Sequence, residues 1–266
     1  MTAPTTPPTQ QIVVNGVHIA HIVAGPHDGL PIVMMHGWGA NSSLVWPLAQ
    51  KLAALNYRVF VPDMPGFGAS PEPPSDWGVF DYAKILLAYC DHLKLDHFAL
   101  FGHSFGGRLG LILGADHSNR ITKMILADAA GIRPKTSPAT QIRLSMYKSV
   151  RDGLKSIGLT RFSDSLRNWY NARYGSADFN AVSGVMRQTF VNVVNEDLLP
   201  YAQRVKPSTL LLWGDQDEDT PLWQARKLEA AIPDAGLVVF PGAGHYSYLD
   251  ALAESTRVID YFLKQE

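Results

Sequence analysis

The sequence predicts an α/β fold in which a mostly parallel sheet carries helices on both faces. The first observation behind this is an alternation. Short β-prone apolar runs take turns with stretches whose apolar residues recur at helical spacing, before residue 131 and again after 201. Strand–helix–strand crossovers produce that rhythm, and they leave the strands buried on both faces. The second is size: 266 residues, 46% of them hydrophobic, can bury one large core without needing two independent domains.

The opening MTAPTTPPTQ is polar, with neither a positive start nor an apolar stretch. Residues 1–10 are therefore expected to form a flexible tail and not a secretory leader. Residues 11–24 alternate loosely around Val13, Val17, Ile19 and Ile22, with Asn15-Gly16 as the turn of a hairpin. Leu30–Met35 and Arg58–Val61 read as strands, separated by a helical pattern over Trp46–Leu55. Asp81–Leu93 is the next helix, Phe98–Phe101 a strand, Ser104–Leu113 a helix and Ile121–Ala127 a strand. From Ile132 to Pro200 the strand rhythm stops, and broken helical patterns rich in aromatic residues replace it. Thr209–Trp213 and Gly236–Phe240 restore the strands, with helices over Ala225–Ile232 and Leu249–Leu263. The expected organisation is a core of 11–131 and 201–266, with 132–200 as a helical cap inserted in it.

Composition narrows the function classes. A formal net charge of −1 offers no general pull toward nucleic acid or an anionic membrane surface. No stretch approaches 18 consecutive apolar residues, so no membrane span is expected. The lone Cys90 lies among apolar residues and reads as a buried thiol, not a nucleophile, which fits a cytoplasmic setting. No Gly-Lys-Ser/Thr phosphate loop or first-strand dinucleotide fingerprint is present.

The most informative segment is Phe98–Gly107, which reads strand, sharp turn, helix and contains Gly102-His103-Ser104-Phe105-Gly106. A serine on such a turn is lifted above the sheet, and small neighbours let the backbone approach itself. Ser104 is thus the candidate nucleophile. The strand Ile32–Met35 runs into His36-Gly37-Trp38-Gly39, a loop that can bring backbone donors beside it. The N–H groups of Trp38 and Phe105 are the candidate oxyanion hole. His36 is expected to hold this loop by hydrogen bonding. His103 is too close in sequence to swing over Ser104 as its base.

Four acidic residues crowd the loop Gly214–Pro221, after the strand ending at Trp213. One of them can orient a catalytic histidine, although spacing alone does not rank Asp215, Asp217 and Asp219. His245 lies in the small-residue loop Pro241–Tyr246 after another strand and is the candidate base. Asp63 is expected to organise the turn Val61–Ser70 through backbone bonds. Asp128, after the strand ending at Ala127, is a reserve acid.

These segments resemble the α/β-hydrolase superfamily, especially its small serine esterases and related carbon–carbon-bond hydrolases, over nearly all of the chain beyond the tail. HGWG resembles the oxyanion loop, DMPGFGAS the early turn and GHSFGG the nucleophile elbow. WGDQDEDTP resembles the acid loop and assigns the acid to Asp217, while GAGHYSYLD assigns the base to His245. The resemblance implies an eight-stranded, mostly parallel sheet with a helical cap after the sixth strand. Serine at 104 argues against haloalkane dehalogenases and the usual epoxide hydrolases, which need a carboxylate there. Ala40-Asn41 departs from the H-G-x-G-P-G of many carbon–carbon hydrolases. The expected activity is hydrolysis of small or medium carboxylic esters through an acyl-enzyme, without metal or organic cofactor, on a small-molecule substrate with an apolar portion. Carbon–carbon hydrolysis and non-catalytic ligand binding are the alternatives.

Overall fold

The computed structural model describes residues 9–133, 137–174 and 176–265. Residues 1–8 of the expected tail lie outside this range, and Gln10 already belongs to the first strand. An eight-stranded sheet has the order β1 (Gln10–Val14), β2 (Val17–Ala24), β4 (Arg58–Pro62), β3 (Pro31–Met35), β5 (Phe98–His103), β6 (Ile121–Ala127), β7 (Thr209–Gly214), β8 (Ala235–Phe240). β2 pairs antiparallel with β1 and with β4, and every other pairing is parallel. The β1–β2 hairpin turns on Asn15 and Gly16, both at positive φ (51° and 79°), as a two-residue hairpin of the primed type requires.

The strands divide their side chains between two cores, as a period of two demands. From β5, Phe98 and Leu100 enter one core while Ala99 and Phe101 enter the other. From β3, Val33 and Met35 separate from Ile32 and Met34 in the same way. The first core is closed by α2 (Val79–His92), α3 (Phe105–Asp116), α8 (Leu199–Ala202) and α9 (Leu222–Ala231). The second lies under α1 (Ser42–Ala54), α10 (Ser247–Asp250) and α11 (Leu252–Lys264). Cys90 is fully buried in the first core, and burial pushes its thiol up to about 12.

Several elements differ from their expected bounds, and two of the differences have a visible cause. Helix α1 begins at Ser42, four residues ahead of Trp46, because the Asn41 side chain accepts the Ser43 N–H and caps it. The single helix expected over Leu249–Leu263 is two helices. The backbone leaves the helical region at Ala251 (φ −112°, ψ 42°), where the Asp250 carboxylate turns back to accept the Gly244 N–H at 2.9 Å. Between β6 and α8 come α4 (Pro138–Ser156), α5 (Thr160–Tyr174), α6 (Ala177–Ala181) and α7 (Gly184–Asn195). Of these, α7 sends Met186 and Val193 into the first core, whereas α4 has no buried residue. Among the described residues no helix is long and apolar enough to cross a membrane.

Candidate active site

Ser104 stands between β5 and α3 with φ 48° and ψ −106°, a left-handed backbone that a residue with a Cβ adopts only under constraint. Close packing supplies the constraint. The Ser104 carbonyl accepts the N–H groups of Gly107 and Ala130, each at 3.0 Å. A Cβ on Gly102 would meet the Gly106 carbonyl oxygen at 2.4 Å, and one on Gly107 the Ala129 Cβ at 2.4 Å. The glycines around the serine are therefore a condition of the helix sitting this close to the sheet.

The structure brings Ser104 and His245 together: Oγ lies 3.0 Å from Nε2. The imidazole Nδ1 lies 2.9 Å from Asp217 Oδ2. With Nδ1 donating to the carboxylate, Nε2 is free to accept the Ser104 proton. Asp217 is buried, and both of its carboxylate oxygens are held by hydrogen bonds. Oδ1 accepts the N–H groups of Asp219 and Thr220, both at 2.9 Å, and Oδ2 also meets Thr220 Oγ1 at 2.7 Å. Burial works to raise its pKa, yet the hydrogen bonds from His245 and Thr220 outweigh that and hold the carboxyl below its ordinary value. Burial likewise works against a charged His245, but the bond to Asp217 and the surrounding carboxylates raise its pKa above the usual 6.5.

The other acids and histidines make different bonds. Asp215 accepts the Gly242 N–H, and Asp219 lines the cavity beside Asp178. Asp63 accepts the N–H groups of Ser42 (2.6 Å) and Ala69 (2.9 Å), tying α1 to the turn after β4. Asp128 is fully buried and binds Gly214 N–H at 3.0 Å through Oδ1 and Ser247 N–H at 2.9 Å through Oδ2. It clamps the end of β7 to the start of α10 without touching His245, and burial pushes its carboxyl up to about 7. His36 accepts the Met64 N–H on Nε2 (3.0 Å) and donates from Nδ1 to the Gly37 carbonyl (2.7 Å), which holds the loop after β3. His103 donates from Nε2 to the His245 carbonyl at 2.8 Å. Burial, then the neighbouring His245, lowers its pKa to about 3, so it stays neutral.

Trp38 and Phe105 both line a cavity of about 260 Å³ with Ser104 and His245. Phe105 is the first residue of α3, so its N–H has no acceptor within the helix. The Trp38 ring packs edge-on against Phe67, Phe105 and Phe190, which seats the loop. Among the described residues, Asp217, Asp219 and His245 are the group of carboxylate and imidazole atoms close enough to share a cation. The Asp217–His245 and His245–Ser104 bonds already occupy the atoms of two of them.

Two residues of the site escaped the sequence reading. Thr220 bridges the Asp217 carboxylate and the Asp128 carbonyl (3.0 Å) through its hydroxyl, and its own carbonyl receives the Trp213 indole N–H at 2.6 Å. The Thr-Pro that ends the acidic run was the available signal. Arg108, four residues after Ser104, is buried in the cavity wall and donates to the Glu196 carbonyl at 3.0 Å. Burial lowers its pKa to about 10. Arg133, Arg143, Arg173 and Arg187 are not among the residues lining the cavity.

Comparison with known proteins gives the same architecture. A family model described as alpha/beta hydrolase fold matches residues 31–148, and one described as TAP-like protein matches residues 192–266. The pimeloyl-[acyl-carrier protein] methyl ester esterase of Chromobacterium violaceum is 26% identical, covering 90% of this chain and 96% of its own. The 2-hydroxy-6-oxo-2,4-heptadienoate hydrolase of Pseudomonas putida is also 26% identical, over 90% of this chain and 92% of its own. Among solved structures, an esterase from Exiguobacterium antarcticum superposes with a TM-score of 0.74 at 23% identity, over 96% of this chain and 99% of its own. With its sheet order, its strand–serine–helix turn and these matches, the chain belongs to the α/β-hydrolase superfamily.

Proposed function

We propose that this protein is a serine-dependent carboxylesterase that cleaves small or medium carboxylic esters through an acyl-enzyme on Ser104. The observation that carries the reading is the unbroken chain from Ser104 Oγ through His245 (3.0 Å) to the buried Asp217 (2.9 Å), with Ser104 and His245 both lining one cavity. Ser104 attacks the ester carbonyl as His245 takes its proton, and Asp217 stabilises the imidazolium. The Trp38 and Phe105 N–H groups receive the oxyanion. His245 then protonates the departing alcohol and activates the water that releases the acid. Residues 132–200 act as a cap, with Ser176, Asp178 and Phe190 reaching the cavity.

At about 260 Å³ the cavity is small beside the roughly 300–1,000 Å³ of sites for drug-sized ligands. Rates should therefore peak with acyl chains of about two to four carbons. Initial rates across p-nitrophenyl esters of increasing acyl length, with Ser104→Ala as control, test the reading. The variant is expected to lose at least about 10³-fold in kcat/KM, and wild-type rates in the variant would overturn the mechanism. Folded protein that spares all esters but cleaves a 2-hydroxy-6-oxo-2,4-dienoate would move the activity to carbon–carbon hydrolysis, in line with the second relative.

A further inference from the structure

Helices α4 and α5 pack chiefly on one another, and they turn their apolar residues outward. Ile142, Met146 and Val150 form one stripe at four-residue spacing along α4 and are 62%, 65% and 55% exposed. On α5, Phe162 and Trp169 are 64% and 59% exposed, and at the joining turn Ile157 is 71% exposed. An apolar groove of about 520 Å³, lined by Met146, Val150, Leu166 and Trp169 among others, runs between the helices. Single exposed apolar residues are ordinary on a protein surface, but a contiguous patch of this kind needs an occupant.

Charge selects the occupant. Residues 138–174 contain seven Lys and Arg against two Asp, a net +5 in a chain whose total is −1. The cations interleave with the apolar stripe: the Arg143 guanidinium lies 4.1 Å from the Tyr174 ring centroid, and Arg151 5.5 Å from that of Tyr147. A second copy of the hairpin would bring like charge against like. An anionic phospholipid surface satisfies both halves of the patch: its acyl boundary takes the Ile, Phe and Trp side chains, and its headgroups take the Lys and Arg. Neither helix is long and apolar enough to cross the bilayer, so the hairpin lies in the interface plane. We infer that the α4–α5 hairpin is a docking element for anionic phospholipid membranes.

The test is co-sedimentation of the full chain with vesicles of phosphatidylcholine alone and with about 30 mol% phosphatidylglycerol, at low and at high salt. Partitioning into the anionic vesicles is expected to exceed that into neutral ones by at least about 10-fold, and to fall at least about 5-fold at high salt. Met146→Glu/Trp169→Glu should lower it at least about 10-fold, and Arg143→Gln/Lys148→Gln/Lys155→Gln should abolish the salt dependence. Both multiple variants should keep the wild-type thermal melt, since they change exposed side chains. Binding that ignores lipid charge and salt, or wild-type protein that stays with the supernatant, overturns the inference. So does a concentration-dependent dimer in sedimentation velocity that Met146→Glu dissolves, which would give the face to a second copy. The readout is binding, so it stands apart from whether Ser104 turns over esters.

Discussion

His245 is held between burial, which disfavours its charge, and Asp217, which favours it, and Asp217 wins. The consequence can be read in a pH profile. Only neutral imidazole accepts the Ser104 proton, so kcat/KM should fall as pH drops through a pKa above the ordinary 6.5. Asp217→Asn removes the carboxylate that raises this pKa and favours the wrong tautomer. It should move the acidic limb downward and cost about 10³–10⁴-fold in rate. A limb that stays in place would show that Asp217 does not set the proton affinity of His245. Asp128 carries a different load, receiving Gly214 N–H, Ser247 N–H and the Ser247 hydroxyl at 2.7 Å. Asp128→Ala would strand these buried donors, at an expected cost of about 2–4 kcal/mol. A urea midpoint equal to wild type would rule that role out.

At the scale of elements, the strand–helix junction around Ser104 depends on absent side chains more than on present ones. A methyl group at Gly102 would lie 2.4 Å from the Gly106 carbonyl oxygen and 2.6 Å from its carbon, a clash with backbone that no side-chain rotation relieves. Gly102→Ala should therefore cost about 2–3 kcal/mol. It should also lower turnover of a soluble ester by shifting Ser104 relative to His245. Unchanged kinetics and an unchanged melt would mean the helix can retreat freely. This junction was legible in advance because its glycines, its serine and the buried runs on either side are contiguous in sequence. The sheet was legible for a related reason: strands such as Ile32–Met35, buried on both faces, read as continuous apolar runs. Thr220 and Arg108 were not, because their roles come from pairings across the fold. A threonine after an acidic run looks like a turn, and an arginine on a helix is expected to be exposed. Nothing local reveals that the Asp128 and Glu196 carbonyls come to meet them. The break at Ala251 was hidden as well, since it follows from Asp250 reaching back to Gly244.

For the whole molecule, the nearly neutral total conceals a division of charge. With a net +5 on residues 138–174, the rest of the chain carries a net −6, so the expectation of no electrostatic pull toward an anionic surface described the sum and not its distribution. The same segment stands apart in packing. The two cores on either face of the sheet are built from other elements, and α7, not α4 or α5, packs into the first of them through Met186 and Val193. Stability should follow this division. Replacing 138–174 by a flexible linker of about ten residues between Ser137 and the segment from Ser176 onward removes almost no contact with either core. The shortened protein should unfold cooperatively within about 1 kcal/mol of wild type, because the lost surface packs mainly on itself. Turnover of a short soluble ester should stay within about 3-fold, since Ser176, Asp178 and Phe190 still line the cavity. Urea unfolding followed by circular dichroism, with initial rates on the same preparations, checks both expectations. A chain that no longer folds, or one that folds and loses turnover, would show the hairpin to be part of the cooperative unit that holds the site. A folded, active chain would leave α4 and α5 as an appendage whose sequence answers to something outside the molecule.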